Sequence, residues 1–167
     1  METYLYSHGK REPMSENANE WGRTLETATE MADELRSEGW SVETVRAAHV
    51  APEPPSHGET DRFGFVYLAQ GEVADDVRSA VAEGEFDGYE LFTHRDGSDL
   101  YAVTRLTDRD RDLAVLLVGA IDLTTAGELA AVARDRGEMY SHVKLVDGTH
   151  LATFRHDDAD PFFPEDV

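Results

Sequence analysis

Cysteine is absent from this chain of 167 residues, and lysine occurs only twice. Without cysteine the chain has no disulfides, no thiolate nucleophile and no sulfur-ligated zinc or iron–sulfur site. Long apolar runs are also missing: the longest, 113–121, is far shorter than the roughly 20 residues of a membrane-spanning helix. No signal-peptide pattern follows Met1. These absences predict a cytoplasmic protein that is not bound to a membrane.

Positive charge is scarce as well. The chain has 35 acidic and 15 basic residues, a net charge of -20, and Lys10 and Lys144 are its only lysines. Because 40% of the residues are hydrophobic and the acids are spread along the chain, we expect a folded domain with an acidic surface. Molar salt screens such charges beyond about 3 Å, so the composition predicts a high-salt cytoplasm. An ordinary acidic protein is the alternative.

The last two thirds of the sequence repeat one pattern at an offset of about 51 residues. The pattern predicts a strand, a helix and two further strands in each of the segments 63–110 and 112–160. Each segment ends in a hairpin around Asp-Gly. The residues that recur at this offset include Tyr89/Tyr140, Asp96/Asp147, Gly97/Gly148, Leu100/Leu151 and the Ala-Val-Ala of the helices. This repetition favours a duplication over a chance likeness of two hairpins.

The predicted fold is α+β. Two β-α-β-β units form a mostly antiparallel sheet of about six strands with two helices on one face, and an N-terminal amphipathic helix and strand precede them. We expect a flexible N-terminus over 1–14 and a single domain over 15–160. Within it lie a helix and strand (15–50, N-cap Ser15), a proline-rich loop (51–61) and the two repeats. A tail, 161–167, follows.

Two resemblances accompany this pattern. The order of elements resembles the duplicated modules of the GyrI-like proteins, which are largely ligand-binding and regulatory domains, so it implies a binding role. The helix ending Glu38-Gly39-Trp40, the step from Arg134 to Met139 and the ending 154–164 resemble a family of small acidic haloarchaeal proteins of uncharacterised function. The second resemblance implies a salt-loving cytoplasm and no particular activity.

The hairpin pattern places a set of mixed side chains on the sheet face opposite the two helices. If the turns are Asp96-Gly97 and Asp147-Gly148, both hairpins contribute to that face. Its aromatic and polar members could stack a planar ligand and bind an anionic group, or could simply pack beneath the N-terminal helix. The candidate ligand-binding residues are Tyr89, Tyr140, His142, Thr153 and Arg155.

An acidic cluster near the end of the chain, His156, Asp157, Asp158 and Asp160, is a weak candidate for a metal site. Its spacing does not match a calcium loop, and acidic clusters arise by default in a chain this acidic. No cofactor is predicted, although K or Na ions could bind to surface carboxylates. Pro161-Phe162-Phe163-Pro164 predicts an apolar plug that docks into its own domain or into a partner chain.

No nucleophile or acid–base signature is present in the sequence. We therefore expect a non-enzymatic module that binds a small molecule or a partner. One alternative is an enzyme in which His142 or His156 acts with a carboxylate as general base. Another is a structural homodimer that uses the second sheet face as its interface. The net charge of -20 argues against nucleic acid as a partner.

Overall fold

The structure is a computed structural model that describes residues 16–55 and 62–167. The predicted flexible N-terminus (1–14), the predicted cap Ser15 and residues 56–61 of the predicted loop lie outside these residues. The order of elements agrees with the prediction. The helices and strands are α1 Glu16–Ser37, β1 Ser41–Glu53, β2 Gly64–Ala69, α2 Ala74–Glu83, β3 Gly88–Asp96, β4 Asp99–Asp108, β5 Leu113–Asp122, α3 Gly127–Arg136, β6 Met139–Leu145 and β7 His150–His156.

The fold is α+β, as predicted. The described strands form one sheet in the order β3-β4-β5-β1-β2-β6-β7. Four of its six strand pairs are antiparallel, and β1 with β5 and β2 with β6 are parallel. The six strands of the two repeats are all present. The seventh, β1, occupies the centre, and it continues through Pro52 to Glu53, three residues into the predicted loop.

Helices cover the sheet on both faces. On one face, α2 and α3 bury the main core, which includes Val77, Leu117 and Leu129. On the other, α1 packs against β1, β4 and β5 over a smaller core that includes Ala28, Leu116 and Val118. Because β5 is buried on both sides, its sequence does not alternate between apolar and polar residues. The sheet thus has an α2/α3 face and an α1 face. None of the described helices could cross a membrane.

The two repeats are interlaced in the sheet. The β3–β4 hairpin of the first repeat pairs with β5, which opens the second, while the β6–β7 hairpin of the second pairs with β2, which opens the first. β1 lies between β5 and β2 and joins the two halves. The units therefore share an order of elements without lying side by side as separate modules.

The two edge strands come together on the α2/α3 face. β3 and β7 lie at opposite ends of the sheet, yet the rings of Tyr89 and His156 are 4.6 Å apart. Phe86, just before β3, also meets Phe154 of β7 at 5.7 Å. The sheet is therefore strongly curled, and its two edges face one another across a narrow gap.

Candidate functional site

The structure divides the five predicted ligand-binding residues between the two faces of the sheet. Tyr140, His142, Thr153 and Arg155 alternate with core residues of β6 and β7 and so lie on the α1 face. Tyr89 packs against the main core on the α2/α3 face. The expected common face is therefore wrong for the first hairpin, whose Leu91, Leu100 and Ala102 also belong to the main core.

The pairing of β4 with β5 explains this difference. Leu100 lies opposite Ile121 and Leu106 opposite Val115, and all four belong to the main core. Asp96 pairs with Asp99, so the turn of the first hairpin is Gly97-Ser98 instead of Asp96-Gly97. Gly97 has φ 64°, a left-handed conformation that glycine adopts without steric cost. Because side chains alternate along a strand and this turn changes each partner of β3 by two residues, Tyr89 and Leu91 stay on the same face as Leu100 and Ala102.

His142 is held from both sides of its ring. Its side chain is buried, its Nε2 lies 2.6 Å from the carbonyl oxygen of Arg62, and its Nδ1 lies 2.9 Å from Thr153 Oγ1. Since a carbonyl only accepts, Nε2 carries the proton and Nδ1 accepts from the threonine hydroxyl. Burial lowers the pKa of His142 below its usual value. Both ring nitrogens are thus engaged within the chain.

The aromatic and basic side chains beside His142 also have partners within the chain. The ring of Tyr140 stacks on that of His142 at 6.2 Å, and the Arg62 guanidinium lies 5.8 Å from the Tyr140 centroid. Arg155 forms an exposed ion pair with Glu138 at 3.0 Å. These contacts satisfy the planar and charged groups that were predicted to meet a ligand, and their role in ligand binding stays a prediction.

The residues of the proposed metal cluster do not converge. His156 is fully buried and its Nε2 lies 2.8 Å from Ser141 Oγ. The backbone carbonyl of Asp158 accepts a hydrogen bond from the Tyr89 hydroxyl, and its carboxylate accepts one from the Asp160 amide. Across the described parts of the chain, no three His, Asp or Glu side chains are placed to hold a metal ion.

Ser141 and His156 belong to a group of polar side chains buried in the main core. Burial lowers the pKa of His156 to about 3 and raises that of Tyr67 to about 12, so both rings are neutral. The hydroxyls of Thr104 and Ser141 lie close to that of Tyr67. Among the described residues, His156 Nδ1, Tyr67 Oη and Thr104 Oγ1 have no hydrogen-bond partner of good geometry. Buried groups of this kind cost stability.

Neither His142 nor His156 hydrogen-bonds to a carboxylate within the described parts of the chain. The acid–histidine contact that the enzyme hypothesis requires is found at another histidine. His94 Nε2 lies 2.9 Å from Glu20 Oε2, and the Glu20 side chain is only 3% exposed. The two residues come from β3 and α1, so nothing in the local sequence indicates their contact.

An open groove runs along the second half of β1, formed by two clefts that share His49. The Pro52 cleft has a volume of about 480 Å³ and the Leu68 cleft about 500 Å³. His49, Val50, Ala51, Pro52, Pro54, Ala120, Asp122, Thr125 and Glu128 line the Pro52 cleft. Arg46, His49, Leu68, Ala69, Gln70, Gly71, Leu145, Val146 and Asp147 line the Leu68 cleft.

A break in the regular pairing of β1 shapes this groove. The register of β1 against β5 shifts between Ala47 and Val50, as at a β-bulge, and such bulges redirect side chains. Opposite the shift stands Gly119, where an added Cβ would lie 2.3 Å from Val50 Cγ2. His49, within the shifted segment, is exposed to solvent between the two clefts. The signal in the sequence was weak, because a bulge has no fixed residue pattern.

Each cleft also carries an ionised carboxylate held in the same way. Asp122 Oδ1 accepts hydrogen bonds from the amide and hydroxyl of Thr124, and Asp147 Oδ1 accepts the same pair from Thr149. These hydrogen bonds lower the pKa of both carboxyls, which are therefore negatively charged at neutral pH.

A model for a family of unknown function, DUF7529, matches residues 8–164. The chain belongs to this family. Comparison with curated proteins and with solved structures found no match. The part matched to DUF7529 contains every residue that lines the two clefts, together with the buried Ser141–His156 pair. The description of DUF7529 assigns it no function.

Proposed function

We propose that this DUF7529 chain is a non-enzymatic module that binds a small, mainly apolar molecule with a cationic group in the groove along β1. The observation that carries the proposal is the pair of clefts joined at His49. Their volumes, about 480 and 500 Å³, fall in the range of roughly 300–1,000 Å³ that is usual for small-molecule sites.

The lining supports this class of ligand. Val50, Pro52 and Ala120 give the Pro52 cleft an apolar floor, and the ionised Asp122 lies at its rim. Exposed ion pairs contribute at most about 1 kcal/mol, so apolar contact would supply most of the affinity and the carboxylate the preference for a cation. The order of elements, whose pattern in the sequence resembles that of GyrI-like modules, also favours a binding role.

The first test uses two fluorescent probes in about 1 M KCl, where surface charge is screened. We expect the cationic dye thioflavin T to bind more tightly than the anionic dye 8-anilinonaphthalene-1-sulfonate. Replacing Ala51 with phenylalanine fills the Pro52 cleft and should weaken thioflavin T binding about tenfold, a loss of about 1.4 kcal/mol. Fluorescence titration measures both effects.

Ala82→Phe is the matched control, since it makes the same change at an exposed position of α2. Circular dichroism would establish that both variants fold. Equal affinity of the dye for wild type and Ala51→Phe would contradict the proposed site, as would the absence of any binding.

We further propose that the protein works in a high-salt cytoplasm, supported by its net charge of -20 and its two lysines. Repulsion between acids reaches about 10 Å at 0.1 M salt and about 3 Å at 1 M. The melting temperature should therefore rise steadily over that range of KCl concentration, as calorimetry would show. A melting temperature that does not change with KCl concentration would contradict this proposal.

A further inference from the structure

The C-terminal strap, residues 157–167, crosses the gap between the two edge strands. It follows β7, yet the hydroxyl of Tyr89 on β3 donates to the carbonyl of Asp158 at 2.8 Å. Arg95, also on β3, holds the carboxylate of Asp166 with two hydrogen bonds of 2.7 and 2.9 Å. The strap thus connects the opposite edges of the sheet.

Helix α3 holds the second half of the strap through one side chain. Arg134 Nη2 donates to the carbonyls of Phe163 at 3.1 Å and Pro164 at 2.9 Å, and Nη1 donates to the backbone oxygen of Val167. Most of these contacts are solvent-exposed, and none belongs to a strand ladder. The strap is therefore attached through side chains that can release it without breaking the sheet.

Beneath the strap, two aromatic rings fill the gap, which confirms the predicted docking of the plug into its own domain. Phe162 is fully buried and Phe163 is 4% exposed. Both rings pack against Phe65, at 6.2 and 5.7 Å, and Phe162 also lies 4.8 Å from the ring of His156. The plug therefore covers the buried Ser141–His156 pair.

The charge of the strap opposes this docking. Five of its eleven residues are acidic and none is basic, while the whole chain carries a net charge of -20. Arg95 and Arg134 offset only part of that repulsion, and an exposed ion pair stabilises little. Salt shortens the range of the repulsion and leaves apolar burial in place. High salt should therefore favour the docked strap.

We propose that the strap is a salt-dependent latch. It is closed over the Ser141–His156 pair at high ionic strength, and it opens at low ionic strength while the sheet stays folded. Opening uncovers Phe65, Tyr89 and His156 together. The device thus makes access to this part of the core depend on the salt concentration around the protein.

Hydrogen exchange of the full chain tests the proposal. The amides of Ala159, Asp160, Phe162 and Phe163 should exchange at least about tenfold faster in about 0.1 M KCl than in about 1 M KCl. The amides of β4 and β5 should keep their protection over the same range, because they lie at the interior of the sheet. The rates are compared after correction for intrinsic exchange.

Variants in which acidic side chains of the strap are made neutral separate the effect of charge from the effect of packing. Asp157→Asn, Asp158→Asn and Glu165→Gln together should restore protection of 159–163 at low salt. The change at Asp158 keeps a side-chain oxygen that can accept the hydrogen bond from the Asp160 amide, so it removes the charge and not the contact.

The matched control removes three exposed charges on or just after α1, with Glu26→Gln, Glu30→Gln and Glu38→Gln, and should not restore protection of the strap. The latch is refuted if the strap and the β4–β5 amides lose protection at the same KCl concentration. It is equally refuted if strap exchange does not depend on salt, or if both triple variants act alike.

Discussion

Replacing Gly64 with alanine is expected to lower the free energy of unfolding by about 3 kcal/mol or more. An added Cβ at this position would lie 1.6 Å from the Tyr140 carbonyl oxygen and 2.5 Å from the Tyr140 carbonyl carbon. Both atoms are backbone, so no side chain can rotate to relieve the overlap. The parallel pairing of β2 with β6 would have to open, and that pairing joins the β6–β7 hairpin to the rest of the sheet.

Urea unfolding in about 1 M KCl, followed by circular dichroism, measures this loss. Gly22→Ala is the control, because Gly22 lies within α1 and an added Cβ there meets nothing within 4 Å. That change should raise stability by roughly 0.5–1 kcal/mol, since alanine favours a helix. Similar small effects at the two glycines would show that the close approach of β2 and β6 does not constrain the fold.

His156 should make the protein less stable as the pH falls from about 6.5 to about 4.5. Its folded-state pKa is about 3, whereas an unfolded histidine titrates near 6.5. Between these values the unfolded chain binds more protons, so the free energy of unfolding decreases as the pH is lowered. The slope is about 1.4 kcal/mol per pH unit, which gives roughly 2–3 kcal/mol over this range. The lowered pKa of His142 acts in the same direction.

His156→Gln should remove most of this pH dependence, because a glutamine amide can still form a hydrogen bond with Ser141 without becoming charged. His49→Gln is the control, since His49 is exposed. Urea unfolding at several pH values gives the slopes. A slope that is the same in wild type and His156→Gln would mean that His156 is not buried as a neutral ring.

The helices and most strands could be predicted from the sequence because their periodicity is local. Ala28, Ala32 and Leu35 fall on one stripe of α1, and the structure packs that stripe against the sheet. β5 was recognisable as a doubly buried strand from its unbroken apolar residues. The pairing of these strands was not predictable in the same way, because it depends on contacts between distant residues. Nothing local places β1 between β5 and β2.

The candidate site was harder to predict than the fold. The face on which Tyr89 lies depends on how β4 pairs with β5, and no local pattern in the first hairpin indicates that pairing. The groove depends on the register shift near His49, and the His94–Glu20 contact depends on how α1 lies against β3. Sequence patterns report the periodicity of a strand and not such irregularities.

The interlaced repeats have a consequence for how the chain can be divided. One half of the sheet combines β3 and β4 of the first repeat with β5 of the second, and the other combines β2 of the first with β6 and β7 of the second. A cut in the turn between β4 and β5 would separate the two repeats. The β3–β4 hairpin would then lack β5, and the β6–β7 hairpin would lack β2. Although the sequence contains two copies of one pattern, we expect that neither copy folds on its own. A single copy would need a second one to supply the strand beside its hairpin, as a strand-exchanged homodimer does.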